Sequence, residues 1–139
     1  MLPLSDRFLI YGDLDYAQKR IPSYLQSHII VKSCPFEEIP KYLSIGDVAF
    51  ALREPKTSMQ GVAPIKLAEY LLMGIPTVTS SGIGDTAAIL EGNKNCFIYN
   101  HTQSDGIDNT LSFIAGSDIL DKNEIRRLGI QHFSIESSV

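Results

Sequence analysis

The chain has 139 residues, and its 12 basic and 16 acidic side chains give a formal net charge of −4 at pH 7. Apolar residues make up 44% and charged residues 20%, a balance that is typical of a globular domain and excludes general disorder. The mild acidity and the scattered Lys and Arg argue against a broad nucleic-acid-binding surface. Cys34 and Cys96 lie in no metal-binding spacing, which favours reduced thiols. No apolar run approaches the roughly 20 residues of a membrane-spanning helix, and the N-terminal residues lack the basic and apolar regions of a secretory signal, so a cytoplasmic protein is expected.

Predicted strands and helices alternate in the first half of the chain. In chain order they are a strand at residues 7–12, a polar helix at 13–26, a strand at 29–32, a short helix at 37–45 and a strand at 48–52. Pro22 interrupts the first helix, and Pro40 lies in the first turn of the second, where its missing N–H costs little. The third strand is apolar on both faces, as central strands of parallel sheets are.

The alternation continues after a polar segment at residues 53–61, which is predicted to be a surface loop. The remaining elements are a helix at 64–73, a strand at 76–80, a helix of one or two turns at 85–90, a strand at 95–99 and helices at 105–115 and 121–131. The first of these helices opens at Pro64 and ends at Gly74, the usual order of the two residues. Strand–helix alternation at this spacing predicts a single α/β domain, residues 1–139, with a doubly wound parallel sheet.

Ligands of open α/β sheets bind beyond the carboxyl ends of the strands, and five segments are expected there. They are residues 12–13, 33–36, 53–63, 80–86 and 100–105. Residues 58–63 lead directly into the helix that opens at Pro64, so its free N–H groups and positive end suit a phosphate or diphosphate. An ordinary loop-to-helix junction has the same pattern, and the glycine-containing turn at residues 80–85 is equally typical of a tight turn.

Glu69 lies off the apolar side of that helix, among apolar neighbours. Its carboxylate either pairs with Lys66, three residues earlier, or accepts hydrogen bonds from a ligand, and two ribose hydroxyls would make a strong, directional contact. The sequence indicates no Ser-His-Asp or Cys-His arrangement. The three histidines are predicted to be surface residues rather than bases: His28, His101 and His132.

The stretch PIKLAEYLLMGIPTVTSSGIGDTAAI, residues 64–89, resembles the donor-site signature of the group 1, or family 4, retaining glycosyltransferases. That signature is a glycine-rich loop, a helix with a central Glu, a Gly-x-Pro turn, a Val-rich strand and a glycine-containing turn. Upstream, FEEIPKYLSIGDVAFAL, residues 36–52, is similar to the family's preceding helix and strand. The resemblance covers about residues 7–139 and implies the C-terminal, Rossmann-like half of a GT-B enzyme, the half that binds the nucleotide sugar.

The resemblance also implies roles for individual residues. Glu69 matches the second glutamate of the family's motif, which holds the ribose hydroxyls. Gly61 stands where the family has the first glutamate, which contacts the donor sugar, so the sequence departs from the pattern there. The implied donor-binding residues are Ser33, Cys34 and Pro35 beside the base, Gly61, Val62, Ala63, Pro64 and Ile65 around the diphosphate, and Lys66 and Glu69 on the helix. No metal site and no catalytic residue is implied in this half.

A longer parent enzyme is a further implication of the resemblance. Both ends of the chain look truncated, and the acceptor-binding N-terminal domain is expected to be absent, so this part alone would be inactive. The parent would transfer a sugar from a nucleoside-diphosphate sugar to a glycan or lipid-linked acceptor, as in polysaccharide biosynthesis, with no cofactor. The expected partners are the nucleotide sugar and the N-terminal domain, not nucleic acid, and the expected location is the cytoplasm, either free or at the inner face of the membrane.

Two other interpretations stay open at this stage. A sugar-nucleotide epimerase half has the same two-domain architecture but requires a catalytic acid or histidine in the crevice. The other interpretation is a non-catalytic α/β nucleotide-binding domain of the receiver or flavodoxin kind. A receiver domain requires acidic residues after the first strand and an aspartate at the end of a central strand. Asp13 and Asp15 follow the first strand, but the third strand ends Leu52-Arg53-Glu54.

Overall fold

The structure, a computed structural model, describes residues 8–11, 14–61 and 65–134. They form an α/β protein whose described strands all pair in parallel. The chain divides into two compact units, Met1–Ile39 and Pro40–Val139. The α/β class and the parallel pairing confirm the coarse sequence prediction, whereas the single doubly wound domain stays a prediction.

The N-terminal unit contains two parallel strands and the helical segments between them. Its elements are β1 (Phe8–Tyr11), α1 (Leu14–Arg20), a 3-10 helix (Ser23–His28) and β2 (Ile29–Lys32). Phe8 lies opposite Ile29 in the β1–β2 register. Pro22, at φ −57°, separates α1 from the 3-10 helix, which confirms the predicted interruption.

The C-terminal unit contains a three-stranded parallel sheet in the order β3-β4-β5. The strands are β3 (Ala49–Ala51), β4 (Thr77–Ser80) and β5 (Phe97–Tyr99). A 3-10 turn (Phe36–Glu38) lies at the end of the N-terminal unit. The helices that follow it are α2 (Ile39–Leu43), a 3-10 helix (Thr57–Gly61), α3 (Ile65–Leu72), α4 (Thr86–Ile89), α5 (Gly106–Ala115), a 3-10 turn (Ser117–Ile119) and α6 (Lys122–Phe133). The segment predicted to be a plain loop at residues 53–61 therefore carries helical turns. None of the described helices is long and apolar enough to cross a membrane.

The burial expected of central strands is found in β4 but not in the third strand. Phe50 in β3 is 38% exposed and Leu52, directly after β3, is 48% exposed. All four residues of β4 are buried, because β4 pairs with β3 on one side and β5 on the other. Both of its threonine hydroxyls donate to backbone carbonyls: Thr77 Oγ1 to Ile75 at 2.8 Å, and Thr79 Oγ1 to Ala51 on the neighbouring strand at 3.2 Å.

The turn after α3 explains why a glycine follows this helix. Gly74 has φ +71°, its N–H donates to the Leu71 carbonyl, and the next N–H, of Ile75, donates to the Tyr70 carbonyl. This is a Schellman motif, which needs a left-handed residue at the position of Gly74. A Cβ at Gly74 would also lie 2.9 Å from the Lys122 carbonyl oxygen. The turn therefore fixes the direction in which the chain enters β4.

The core of the C-terminal unit lies where α3 packs against α6. Its buried side chains are Leu67, Leu71, Leu90, Cys96 and Ile125. Asp121 caps α6 by accepting from the N–H groups of Asn123 and Glu124. Buried Asn95 adds two bonds: its Nδ2 donates to Glu124 Oε2 at 3.0 Å, and its Oδ1 accepts from the Asp121 N–H at 3.1 Å. The beginning of α6 is thereby tied to the segment that enters β5.

Candidate functional site

Three of the segments expected at the carboxyl edge of the sheet converge in the C-terminal unit. They are the segments that follow β3, β4 and β5. The Arg53 N–H donates to Ser80 Oγ at 2.8 Å, and the Ser81 N–H donates to the Tyr99 carbonyl at 2.9 Å. At Gly82, which has φ +77°, a Cβ would lie 3.1 Å from the Cβ of Pro55. The close approach of these segments confirms their predicted location at one edge.

Ser80 and His101 form a contact that the sequence prediction missed. Ser80 is fully buried, and its Oγ lies 2.9 Å from Nε2 of exposed His101. Because Oγ accepts from the Arg53 N–H, its own proton can be donated to Nε2, which fits the tautomer with its proton on Nδ1. The His101 ring also meets Tyr99 edge to face, with the centroids 4.7 Å apart. The two hydrogen bonds of the Ser80 hydroxyl therefore join the segments that follow β3, β4 and β5 at this edge.

The register between the parallel strands β4 and β5 could have predicted this contact. Ser80 ends β4 opposite Tyr99, and His101 is two residues beyond Tyr99. Residues that follow the ends of neighbouring parallel strands meet at the same edge, so the strand alignment would have brought the two side chains together. Among the described residues, no carboxylate forms a hydrogen bond with His101.

Glu69 lies half-buried on α3, one position before half-buried Tyr70. Burial, and then the negative charge of Glu69, raise the pKa of Tyr70 above its ordinary value. Lys66 is exposed, and it forms no ion pair with Glu69. Glu69 and Lys66 therefore do not form the surface ion pair that was one of the two interpretations of Glu69. Its carboxylate has no hydrogen-bonding or ionic partner among the described residues.

The predicted diphosphate turn is described at its two ends. Gly61 ends a 3-10 helix and is exposed, and a Cβ there would have no neighbour within 4 Å. Ile65 begins α3 and is 67% exposed. Val62, Ala63 and Pro64 lie outside the described residues. The space around Gly61 would accept a larger side chain, so packing does not explain the absence of the glutamate that the family pattern has there.

The predicted base loop lies in the N-terminal unit, directly after β2. Ser33 and Pro35 are exposed, and Cys34 is half-buried. The Pro35 carbonyl accepts from the Glu38 N–H at 2.9 Å and so begins the 3-10 turn that follows. This hydrogen bond fixes the direction in which the chain leaves the loop. Its role beside a base stays a prediction.

Other features of the described residues add no chemistry to these segments. No group of three or more His, Cys, Asp or Glu side chains is arranged to hold a metal ion in the described part of the chain. A shallow pocket of about 330 Å³ in the N-terminal unit involves none of the predicted donor-binding residues. It is lined by Gln18, Ile21, Gln26, Ile29 and Val31.

No protein-family model matches the chain, and no curated protein or solved structure shows significant similarity to it.

Proposed function

We propose that this chain is the nucleotide-sugar-binding part of a retaining glycosyltransferase of the GT-B type. The observation that carries the proposal is Glu69, a half-buried carboxylate without a described partner on the helix that follows a glycine-containing segment. Burial of an unpaired charge costs free energy, so such a side chain suits a ligand that supplies the missing donors. The two hydroxyls of a ribose are donors of that kind.

The diphosphate of the donor would bind at the N-terminal end of α3. The first N–H groups of an eight-residue helix have no intrahelical partners, and the helix dipole favours negative charge at this end. In sugar transfer the diphosphate leaves with an increased negative charge. Fixed N–H donors stabilise that charge without having to reorganise during the reaction. Lys66, exposed in the first turn of α3, would add a positive charge beside the phosphates.

The rest of the reaction belongs to a longer parent enzyme in this proposal. A second domain would position the acceptor against the donor, since transfer depends on holding both in one geometry. The parent would use a glycan or lipid-linked acceptor and act in the cytoplasm or at the inner face of the membrane. Support for this part of the proposal is the sequence resemblance together with the parallel α/β fold.

Calorimetric titration with UDP and GDP tests the role of Glu69. We expect Glu69→Ala to weaken binding of the preferred nucleotide by about thirtyfold, or about 2 kcal/mol, because ribose hydroxyls would lose a charged acceptor. Glu69→Gln keeps the shape of the side chain and should recover part of the loss. Glu91→Ala is the matched control, since Glu91 is exposed and lies outside the predicted site.

The outcome separates three roles of Glu69. A loss of affinity with an unchanged melting temperature supports ribose binding. Equal affinity in wild type and Glu69→Ala contradicts it and makes Glu69 a solvent-facing residue of α3. A lower melting temperature with unchanged affinity makes Glu69 a structural residue and also contradicts the proposal.

A further inference from the structure

Helix α5 has one face against the sheet and a second, apolar face in solvent. On the inner face, the Phe113 ring packs against Phe97 with centroids 5.7 Å apart. On the outer face, Ile107 is 64% exposed, Leu111 is 56% exposed, and Ala115 is exposed. These three residues are spaced at i, i+4 and i+8, so they form one continuous stripe along the helix.

A further exposed apolar side chain follows the end of α5. The 3-10 turn at Ser117–Ile119 contacts α5, and Ile119 is 85% exposed, the highest value among the large apolar residues that the structure describes. Single exposed apolar side chains are ordinary on protein surfaces, but an ordered stripe on one helix face is typical of an interaction site. We call Ile107, Leu111, Ala115 and Ile119 the outer stripe.

The segment that carries the outer stripe is acidic. Residues 95–121 contain four aspartates and no Lys or Arg, so this segment accounts for the whole net charge of −4. Asp121 is used as the N-cap of α6. The other three, Asp105, Asp108 and Asp118, are exposed and form no ion pair with a described residue. Asp108 is three residues from Leu111, and Asp118 is adjacent to Ile119, so charge and apolar surface lie side by side.

We propose that the outer stripe docks a basic amphipathic helix of a partner protein. Apolar side chains of the partner would bury the stripe, while its Lys or Arg side chains would face the three aspartates. An anionic lipid surface would be repelled by the same aspartates. A second copy of this chain would bring like charges together in a symmetric contact, so the charge pattern favours a basic partner over both. This inference is independent of nucleotide binding at α3.

Fluorescence anisotropy with a labelled synthetic helix of leucine and lysine tests the inference. We expect saturable binding to the wild type that weakens on the order of tenfold in the double variant Ile107→Ser, Leu111→Ser. Asp108→Asn should weaken binding several-fold and reduce its salt dependence, since one charge contact is lost. The matched controls are Ile45→Ser, at an apolar residue that is 73% exposed outside the stripe, and Glu91→Gln.

Three results would overturn the inference. The first is equal weakening in Ile45→Ser and in the double variant, which would indicate nonspecific adsorption. The second is equal binding of a peptide with glutamate in place of lysine. The third is self-association of the wild type that Leu111→Ser abolishes, measured by sedimentation, since a second copy would then be the occupant. All substituted side chains are exposed, so unchanged melting temperatures should accompany the binding results.

Discussion

Among the glycines that the structure describes, Gly129 is the one where an added carbon should disturb the fold most directly. It lies in α6 against α3, and a Cβ there would be 2.7 Å from the Leu72 nitrogen and 2.8 Å from the Leu71 carbonyl carbon. Both neighbours are backbone atoms, so no side-chain rotation can relieve the contact. Ordinary non-bonded contacts between such atoms are about 3.5 Å, and the helices would therefore have to separate by roughly 0.7 Å.

Two opposing terms set the size of the effect of Gly129→Ala. Alanine stabilises a helix interior by about 0.5–1 kcal/mol relative to glycine. Overpacking of a close-packed interface costs about 1–3 kcal/mol, and this interface includes fully buried Leu71 and Ile125. We expect a net loss of about 1–2 kcal/mol in the free energy of unfolding, which for a chain of this size lowers the melting temperature by about 2–8 °C.

Urea denaturation and thermal melting measure this change, with Gly116→Ala as the control. At Gly116 φ is −96°, and a Cβ would meet only the Ser112 and Phe113 carbonyl oxygens at 3.8 and 3.9 Å. The control should change stability by no more than about 0.5 kcal/mol. If Gly129→Ala is as stable as the wild type, the close packing of α3 on α6 is wrong, and so is the position of the helix that carries Glu69.

Two further predictions concern the sheet. Ser80→Ala should lower the free energy of unfolding, measured by urea denaturation, by about 1–3 kcal/mol, because the Arg53 N–H and His101 Nε2 both lose their bond to Oγ. An unchanged free energy of unfolding would contradict a stabilising role of this hydroxyl at the carboxyl edge of the sheet. Burial raises the pKa of the Cys96 thiol from about 9 to about 11, so the unfolded chain loses this proton first and stability should fall between pH 9 and 11. The Cys96→Ala variant should have a shallower fall over that range, and an identical slope in the two proteins would contradict the burial of the thiol.

The strand and helix positions followed from local patterns in the sequence. The strands predicted at residues 29–32 and 76–80 are short apolar or β-branched runs between turn residues. The structure has β2 at Ile29–Lys32 and β4 at Thr77–Ser80. A helix between Pro64 and Gly74 was predicted because proline is favoured at the first position of a helix and glycine just after its end. The observed helix α3 spans Ile65–Leu72. Boundaries of this kind depend on a few adjacent residues, which is why they are predictable.

Properties that depend on neighbours distant in the sequence were not predictable in the same way. The third strand is as apolar as a central strand, yet burial falls on β4, because the order of strands and not their composition decides which one is covered. The alternative pairing of Glu69 with Lys66 rested on helical spacing alone, and the two side chains do not pair. The Ser80–His101 contact needed the register between β4 and β5, which no local pattern contains.

The central claim is that a nucleoside diphosphate binds at the start of α3, and amide chemical shifts of the ¹⁵N-labelled protein titrated with UDP and GDP test it most directly. We predict saturable shifts concentrated in residues 61–69 for at least one of the two nucleotides, with much smaller shifts in α5 and α6. Phosphate contact with backbone N–H groups would change these amides first. The absence of saturable shifts at millimolar nucleotide, or shifts centred away from residues 61–69, would contradict the claim.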